Sequence, residues 1–236
     1  MEDKILMKTK IKFSQEDILK VLDTCYEKAT NGISKISPSI DRLAGDYLSK
    51  HASKEEAIKD MLKKQVLKCT TSGFITGFGG AITLPVTMPA NIGSVLYVQM
   101  RMIACTAYMA GYDISSDQVQ TLVYACLAGL SVGEIAKQFG IKLGQKVAVG
   151  MIEKIPGKVL TKINQKVGFR LLTKFGEKGL INLGKLVPGV GAVINGGVDF
   201  AETKAIAKRA YQMFVENNFD IGEKVDDIID AEATAI

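Results

Sequence analysis

Residues 69–100 read CTTSGFITGFGGAITLPVTMPANIGSVLYVQM, and no charged side chain occurs between Lys68 and Arg101. About 20 apolar residues in one helix suffice to cross a bilayer. Here Gly79, Gly80, Pro85 and Pro89 interrupt the run. Proline removes a backbone donor and clashes with the preceding turn, and glycine loses more entropy than other residues on entering a helix. The stretch therefore reads as two apolar helices around a Gly/Pro bend. Such a hairpin is either the centre of a helical core or a segment that meets lipid, and the residues leave both open.

Helix signals continue on either side. Ser14 precedes EDILKVLDTCYEKA, with Asp17 where a capping box places an acid and Ile18, Leu22, Cys25 and Ala29 on one face. Pro38 suits the first turn of SIDRLAGDYLSK, whose apolar side is Ile40, Leu43, Ala44, Tyr47 and Leu48. Ser53 with Glu56 forms a second capping box, opening a helix through Ile58, Met61, Leu62 and Val66 into the uncharged stretch. Pro89 restarts a helix over ANIGSVLYVQMRMIACTAYMA that ends at Gly111. Ser116 caps DQVQTLVYACLAGLSVGEIAKQF, which reads as one helix stopped by Gly140, and a last helix follows Pro188. Strand signals are scarce, and no fixed period of solenoid type appears.

These elements predict an all-α fold: a single-domain helical bundle with Gly-rich apolar central helices around Ser72, Val95, Leu122 and Val193. Residues 1–53 read as N-terminal amphipathic helices packing on the core, 54–217 as the main helical domain, and 218–236 as an acidic C-terminal tail. From residue 216 onward Glu216, Asp220, Glu223, Asp226, Asp227, Asp230 and Glu232 face Lys224 alone, so the end of the chain is expected to be exposed.

Composition narrows the function. A chain of 236 residues with 47% hydrophobic and 23% charged side chains buries a sizeable core, which excludes a disordered chain. Cys25, Cys69, Cys105 and Cys126 sit among apolar neighbours without a CxxC pair, as expected of buried free thiols in a reducing compartment. The start, MEDKILMKTKIKFS, lacks the apolar core of a secretory signal. The localisation read from this is cytoplasmic, or at the inner face of a membrane. His51 is the single histidine and reads as a surface or capping residue, which argues against metal or His-based catalysis. GFITGFGG lacks the Lys-Ser/Thr of a phosphate loop, and VPGVGAVING lacks the third glycine of a dinucleotide fingerprint. No catalytic residue, cofactor or metal is expected, and the chain reads as non-enzymatic.

Cations then dominate a later segment. Lys142, Lys146, Lys154, Lys158, Lys162, Lys166, Arg170, Lys174 and Lys178 follow one another mostly at four-residue spacing, against Glu153 and Glu177. Residues four apart neighbour each other on a helix, so the cations form a stripe over any two or three turns. Pro156 and the glycines divide the segment into shorter helices. A basic amphipathic helix suits an anionic membrane surface. It equally suits the solvated face of a bundle. Nucleic acid ranks below both, because Phe169 and Phe175 are the only stacking aromatics nearby.

Small residues mark the apolar helices. Gly73 and Gly77 form a GxxxG followed by Gly79 and Gly80; Gly129 and Gly133 form another; Gly191, Gly196 and Gly197 crowd the start of the last helix. Such sets let helices approach closely in water as in lipid. The uncharged runs from Gln118 to Gly133 and from Lys185 to Val198 are too short to span, so a re-entrant or interfacial hairpin (Gly73, Gly77, Gly79, Gly80, Pro85, Pro89) fits better than a spanning helix. Arg101 borders this apolar region, and a buried charge needs a partner, so Asp199 or Glu202 is expected to pair with it.

Three segments, TSGFITGFGGAITLPVTMPANI, RMIACTAYMAGYD and LVPGVGAVINGGVDFAETKAIAKRAYQMF, together resemble the EcsC family, over about Lys54 to Asn217. The resemblance implies a helical protein of a family bacterial in its best-known members, without an established activity. One member is encoded beside an ABC transporter, which implies a membrane setting and transfers no catalytic residue. The expected function is a membrane-associated helical protein that binds anionic lipid through its basic face and apolar hairpin. The alternatives are a soluble scaffold or regulatory protein docking an acidic partner, and a membrane-perturbing effector using the same hairpin.

Overall fold

A computed structural model describes residues 14–70, 90–143, 149–175 and 191–222, with the backbone alone at 70, 90–92, 149, 174–175 and 191–199. Helix α1 (Gln15–Asn31) opens with the reciprocal cap that its sequence predicts: Asp17 N–H donates to Ser14 Oγ at 3.1 Å, and Ser14 N–H donates to Asp17 Oδ2 at 3.0 Å. Its inward face is Ile18, Val21, Leu22, Cys25, Tyr26 and Ala29. The helix ends at Gly32, whose φ of 80° and ψ of 178° suit glycine alone. A tight loop follows, closed by a bridge between Ile33 and Ser37. Helix α2 (Ile40–Leu48) then starts from Ser39, so Pro38 precedes the cap instead of occupying the first turn. Helix α3 (Lys54–Thr70) starts as expected, with Glu56 N–H on Ser53 Oγ at 3.2 Å.

Helix α4 (Ala90–Ala110) is the hub. It packs against α1, α2, α3 and two later helices, α5 (Asp117–Ala128) and α9 (Gly191–Phe214). Every side chain from Leu96 to Ala107 is buried. A helix surrounded on all sides has no polar face to spare, which explains why its sequence shows no amphipathic stripe. It ends at Gly111, with φ of 101° and Tyr112 N–H reaching back to the carbonyl of Ala107. Among the described residues no helix is long and apolar enough to cross a membrane.

The apolar run after Ser116 departs from expectation: it is two helices. Gly129, at φ 74°, ends α5, with Leu130 N–H on the carbonyl of Ala125. Ser131 then caps α6 (Val132–Lys137) by accepting from Glu134 N–H. Gly129 is thus a left-handed helix end, while Gly133 serves close approach. A Cβ on Gly133 would lie 1.9 Å from a carboxylate oxygen of Asp220 and 3.2 Å from the carbonyl oxygen of Phe219. Two more helices, α7 (Val149–Ile152) and α8 (Gly157–Phe175), are separated at Pro156 as the sequence predicts. Helix α8 packs on α5, α1 and α6, and α9 on α3, α4 and α5. Residues 215–222 strap back across the α5–α6 corner with Glu216 and Asp220 exposed, and residues 223–236 lie outside the described residues. Phe219 is 1% exposed, its carbonyl accepts from Gly133 N–H at 2.8 Å, and a Cβ on Gly222 would meet the Leu130 carbonyl carbon at 2.6 Å.

Among the described residues there are nine helices and no strand, as an all-α bundle requires. Leu122 belongs to its apolar centre, whereas Val95 is only half-buried on the hub helix; Ser72 and the side chain of Val193 lie outside the described residues.

Candidate functional site

The basic ladder divides among three structural settings. Lys142 is exposed in the segment after Gly140, Lys154 is exposed in the turn after α7, and Lys158 to Lys174 lie on α8. Lys146, Lys178 and the side chain of Lys174 lie outside the described residues. On α8 a four-residue step advances about 40° beyond a full turn. The stripe therefore winds around the helix. Lys158 and Lys162 are exposed, whereas Lys166 and Arg170 are half-buried where the stripe nears the packed face of Val159, Ile163, Val167 and Leu171. Gly168 brings that packed side close to α1, since a Cβ there would lie 3.4 Å from Gln15.

Phe169, eleven residues after Lys158, returns to nearly the same azimuth and is 38% exposed. The sequence of α8, GKVLTKINQKVGFRLLTKF, contains no acid. Its outer face therefore sets the Phe169 ring beside Lys158 and Lys162, on a helix that contributes no acid of its own. Lys158 also lies 6.0 Å above the ring of Phe139. Exposed Met151 stands one turn before Lys154, and Glu153 is the acid beside them.

The expected apolar hairpin, with Gly73, Gly77, Gly79, Gly80, Pro85 and Pro89, lies outside the described residues. A second surface, which the linear pattern did not reveal, lies between α3 and α9. Tyr211 Oη donates to Glu55 at 2.7 Å near the start of α3, and the groove runs from there to Leu67 and Phe200, so the two helices are antiparallel. The groove encloses about 540 Å³. Its floor is Leu62, Val66 and Ala207, and Leu67 and Phe200 at its far end are 50% and 37% exposed. Lys59, Lys63, Lys204 and Lys208 edge it. Lys59 is bonded to Glu55 at 2.7 Å and lies 5.4 Å above the Tyr211 ring; the bond to Glu55 holds its ammonium above the usual range. Glu216 closes the near end. The signal was present as lysine pairs four apart on two helices, but only tertiary pairing adds them together.

Arg101 is buried, as its apolar setting predicts, at 4% exposure. Its described partners are neutral: one guanidinium nitrogen donates to the carbonyl of Ala29 at 2.7 Å and the other to that of Pro38. The side chain of Asp199 lies outside the described residues, and Glu202 is half-buried on α9. Gln99, two residues before Arg101, donates to Thr203 on α9 at 3.0 Å. Two residues turn a helix by about 200°. Arg101 thus faces α1 and the loop before α2, away from the α9 contact that would bring it to a carboxylate. Burial and the Arg101 charge hold the Lys68 ammonium below its usual range.

The remaining chemistry is structural. All four cysteines are buried and none forms a disulfide, and burial pushes the thiols of Cys25, Cys105 and Cys126 up to about 12. His51 bonds through Nδ1 to the carbonyl of Tyr47 at 2.9 Å, stacks on that ring, and places Nε2 3.3 Å from Asp60, so it secures the α2–α3 turn. No cluster of His, Cys, Asp or Glu suited to a metal ion occurs among the described residues.

The model of the EcsC protein family matches residues 12–215, which takes in α1 and α2 as well as the segments that carry the resemblance. No curated protein and no solved structure matches the chain.

Proposed function

The chain belongs to the EcsC protein family, and we propose that this member is a non-enzymatic protein that docks on anionic lipid surfaces through the outer face of α8. The observation that carries the reading is the composition of that face: Lys158 and Lys162 exposed beside exposed Phe169, on a helix without an acid. Lysine ammonium groups are drawn to anionic headgroups, and an aromatic ring among them enters the interfacial layer while the charges stay in water. Lys166 and Arg170, half-buried beside the packed face that includes Val159, lie too near that face to lead the approach. Attachment of this kind needs no spanning helix, in keeping with the described helices.

Each lysine near such a surface contributes about 1 kcal/mol. Lys154, Lys158 and Lys162 together contribute about 3 kcal/mol, roughly a hundredfold in partitioning. The test is co-sedimentation with phosphatidylserine-containing and pure phosphatidylcholine vesicles at low and high salt. The protein is expected to bind the anionic vesicles, to release at high salt, and to lose about a hundredfold in affinity in Lys154→Glu/Lys158→Glu/Lys162→Glu. A triple variant that binds as the wild type does, or a wild type indifferent to lipid charge, overturns the reading. Dye leakage in the same vesicles would instead identify a membrane-perturbing effector.

A further inference from the structure

We infer that the α3–α9 groove docks an acidic amphipathic helix of a partner protein. The two antiparallel helices leave between them a trough whose floor is Leu62, Val66 and Ala207, all buried, with Leu67 and Phe200 exposed at its far end. Each wall carries lysines one helical turn apart, Lys59 and Lys63 on α3 and Lys204 and Lys208 on α9. The contact between Tyr211 and Glu55 sets the register of the two helices. From there, opposite chain directions bring Lys59 about level with Lys208 and Lys63 about level with Lys204. The rim is thus basic on both walls at two successive levels, above an apolar strip. Lys59 shares its charge with Glu55, and Glu216 stands at the near end, so the basic character is strongest toward Phe200.

Charge and shape together select the occupant. From Glu55 to Leu67 the trough is about 18 Å long at helical rise, room for about three turns of a further helix. An amphipathic helix lays its apolar stripe into a groove of this kind. Carboxylates flanking that stripe at one-turn spacing then meet the lysines of both walls, as charges beside the seam do in a coiled coil. A flat lipid surface reaches the rim lysines but not the floor. A single-chain amphiphile has one anionic end, whereas the lysines stand at two levels on both walls. The inference concerns a different surface from α8 and does not depend on the lipid reading.

The experiment is fluorescence anisotropy of a labelled, stapled helical peptide of about 12 residues, its leucine stripe flanked on both sides by glutamates, titrated with the full chain. A second peptide carries lysine in place of every glutamate. The glutamate peptide is expected to bind about tenfold more tightly than the lysine peptide, and to weaken as salt rises. Lys204→Glu/Lys208→Glu is expected to lose about tenfold for the glutamate peptide and to gain affinity for the lysine peptide, a reversal that misfolding cannot produce. Leu67→Ser/Phe200→Ser, at two exposed positions, is expected to weaken both. Equal affinities of the wild type for the two peptides overturn the inference, as does indifference of the glutamate peptide to both double variants. Vesicle binding that survives Lys154→Glu/Lys158→Glu/Lys162→Glu and disappears on adding Lys204→Glu/Lys208→Glu, without peptide binding, overturns it and assigns the groove to lipid. Self-association lost in Lys204→Glu/Lys208→Glu, again without peptide binding, overturns it and assigns the groove to a second copy.

Discussion

Replacing Arg101 tests how the hub helix holds the N-terminal third. The guanidinium spans two carbonyls, Ala29 in the last turn of α1 and Pro38 at the end of the following loop. Arg101→Met keeps most of the apolar stem and removes both bonds. A buried carbonyl that loses its donor costs about 1–3 kcal/mol, so two would cost about 2–6 kcal/mol. Two effects reduce this. Pro38 is exposed, so water can replace the donor there, and methionine carries no charge to desolvate beside Lys68. The net loss expected is about 2–4 kcal/mol, read from urea unfolding followed by circular dichroism. Arg101→Lys retains one of the two bonds at most, because a single ammonium cannot reproduce the fork, and should fall between. The loop itself supplies a second readout. Lys35, exposed with φ of 63°, is a tryptic site in the tethered loop, and its cleavage should accelerate in Arg101→Met. An unfolding free energy within 0.5 kcal/mol of wild type, with unchanged cleavage at Lys35, would refute the tether (the threshold being about the spread of ordinary surface substitutions).

Four further outcomes follow from the geometry. Gly32→Ala places a Cβ 2.6 Å from the Pro38 carbonyl carbon at φ 80°, so it should cost about 1–3 kcal/mol in strain alone, and a melting temperature equal to wild type would contradict this. Ser14→Ala removes the cap of α1 and should cost about 1 kcal/mol. The Ser14 backbone N–H and hydroxyl hold the Asp17 carboxyl below its ordinary value of 3.8, so the cap's acid contribution is present above that value and lost as pH falls below it; the protection factors of the amides in the first turn of α1 should drop there and not at pH 6. The buried thiols behave in the opposite sense. Their values near 12 against an ordinary 9.0 mean that stability is intact below pH 9 and lost between 9 and 12, and that at pH 9 iodoacetamide should label the urea-unfolded protein but leave the native one unlabelled.

Local signals in the sequence located most helix ends, because a cap is a contact between residues three apart. Ser14, Ser53 and Ser116 each accept a bond from the backbone three residues on. The corner at Gly129 was harder to see, since Leu127, Leu130, Val132 and Ile135 are all buried and the apolar pattern runs on without a break. The pairing of Gly129 with Ser131 and Glu134 marks a stop followed by a start, and that is the signal the turn obeys. The burial of Arg101 was legible from its neighbours. Its partners were not, because a backbone carbonyl carries no residue identity, and a carboxylate was the only counterpart a sequence can show. The ladder was legible as charge but not as exposure: the winding of α8 decides that Lys158 and Lys162 face outward while Arg170 turns inward. The groove edged by Lys204 and Lys208 depends on helices about 140 residues apart in the chain, and no local pattern reports that α3 and α9 meet.

The position of α4 has a consequence for synthesis. Its neighbours α1, α2 and α3 emerge from the ribosome before it, but α9 follows some 80 residues later. Until α9 arrives, the side of α4 that receives it, marked by Gln99 and its buried Thr203 contact, stays open to water. At about 5–20 residues per second that interval lasts roughly 4–16 seconds, long compared with helix formation and collapse. A nascent chain halted before residue 191 would therefore be sticky along one flank of its own centre. Such chains are expected to recruit a holdase or to aggregate, and translation slowed after α5 should lower the yield of native protein without altering any of its residues.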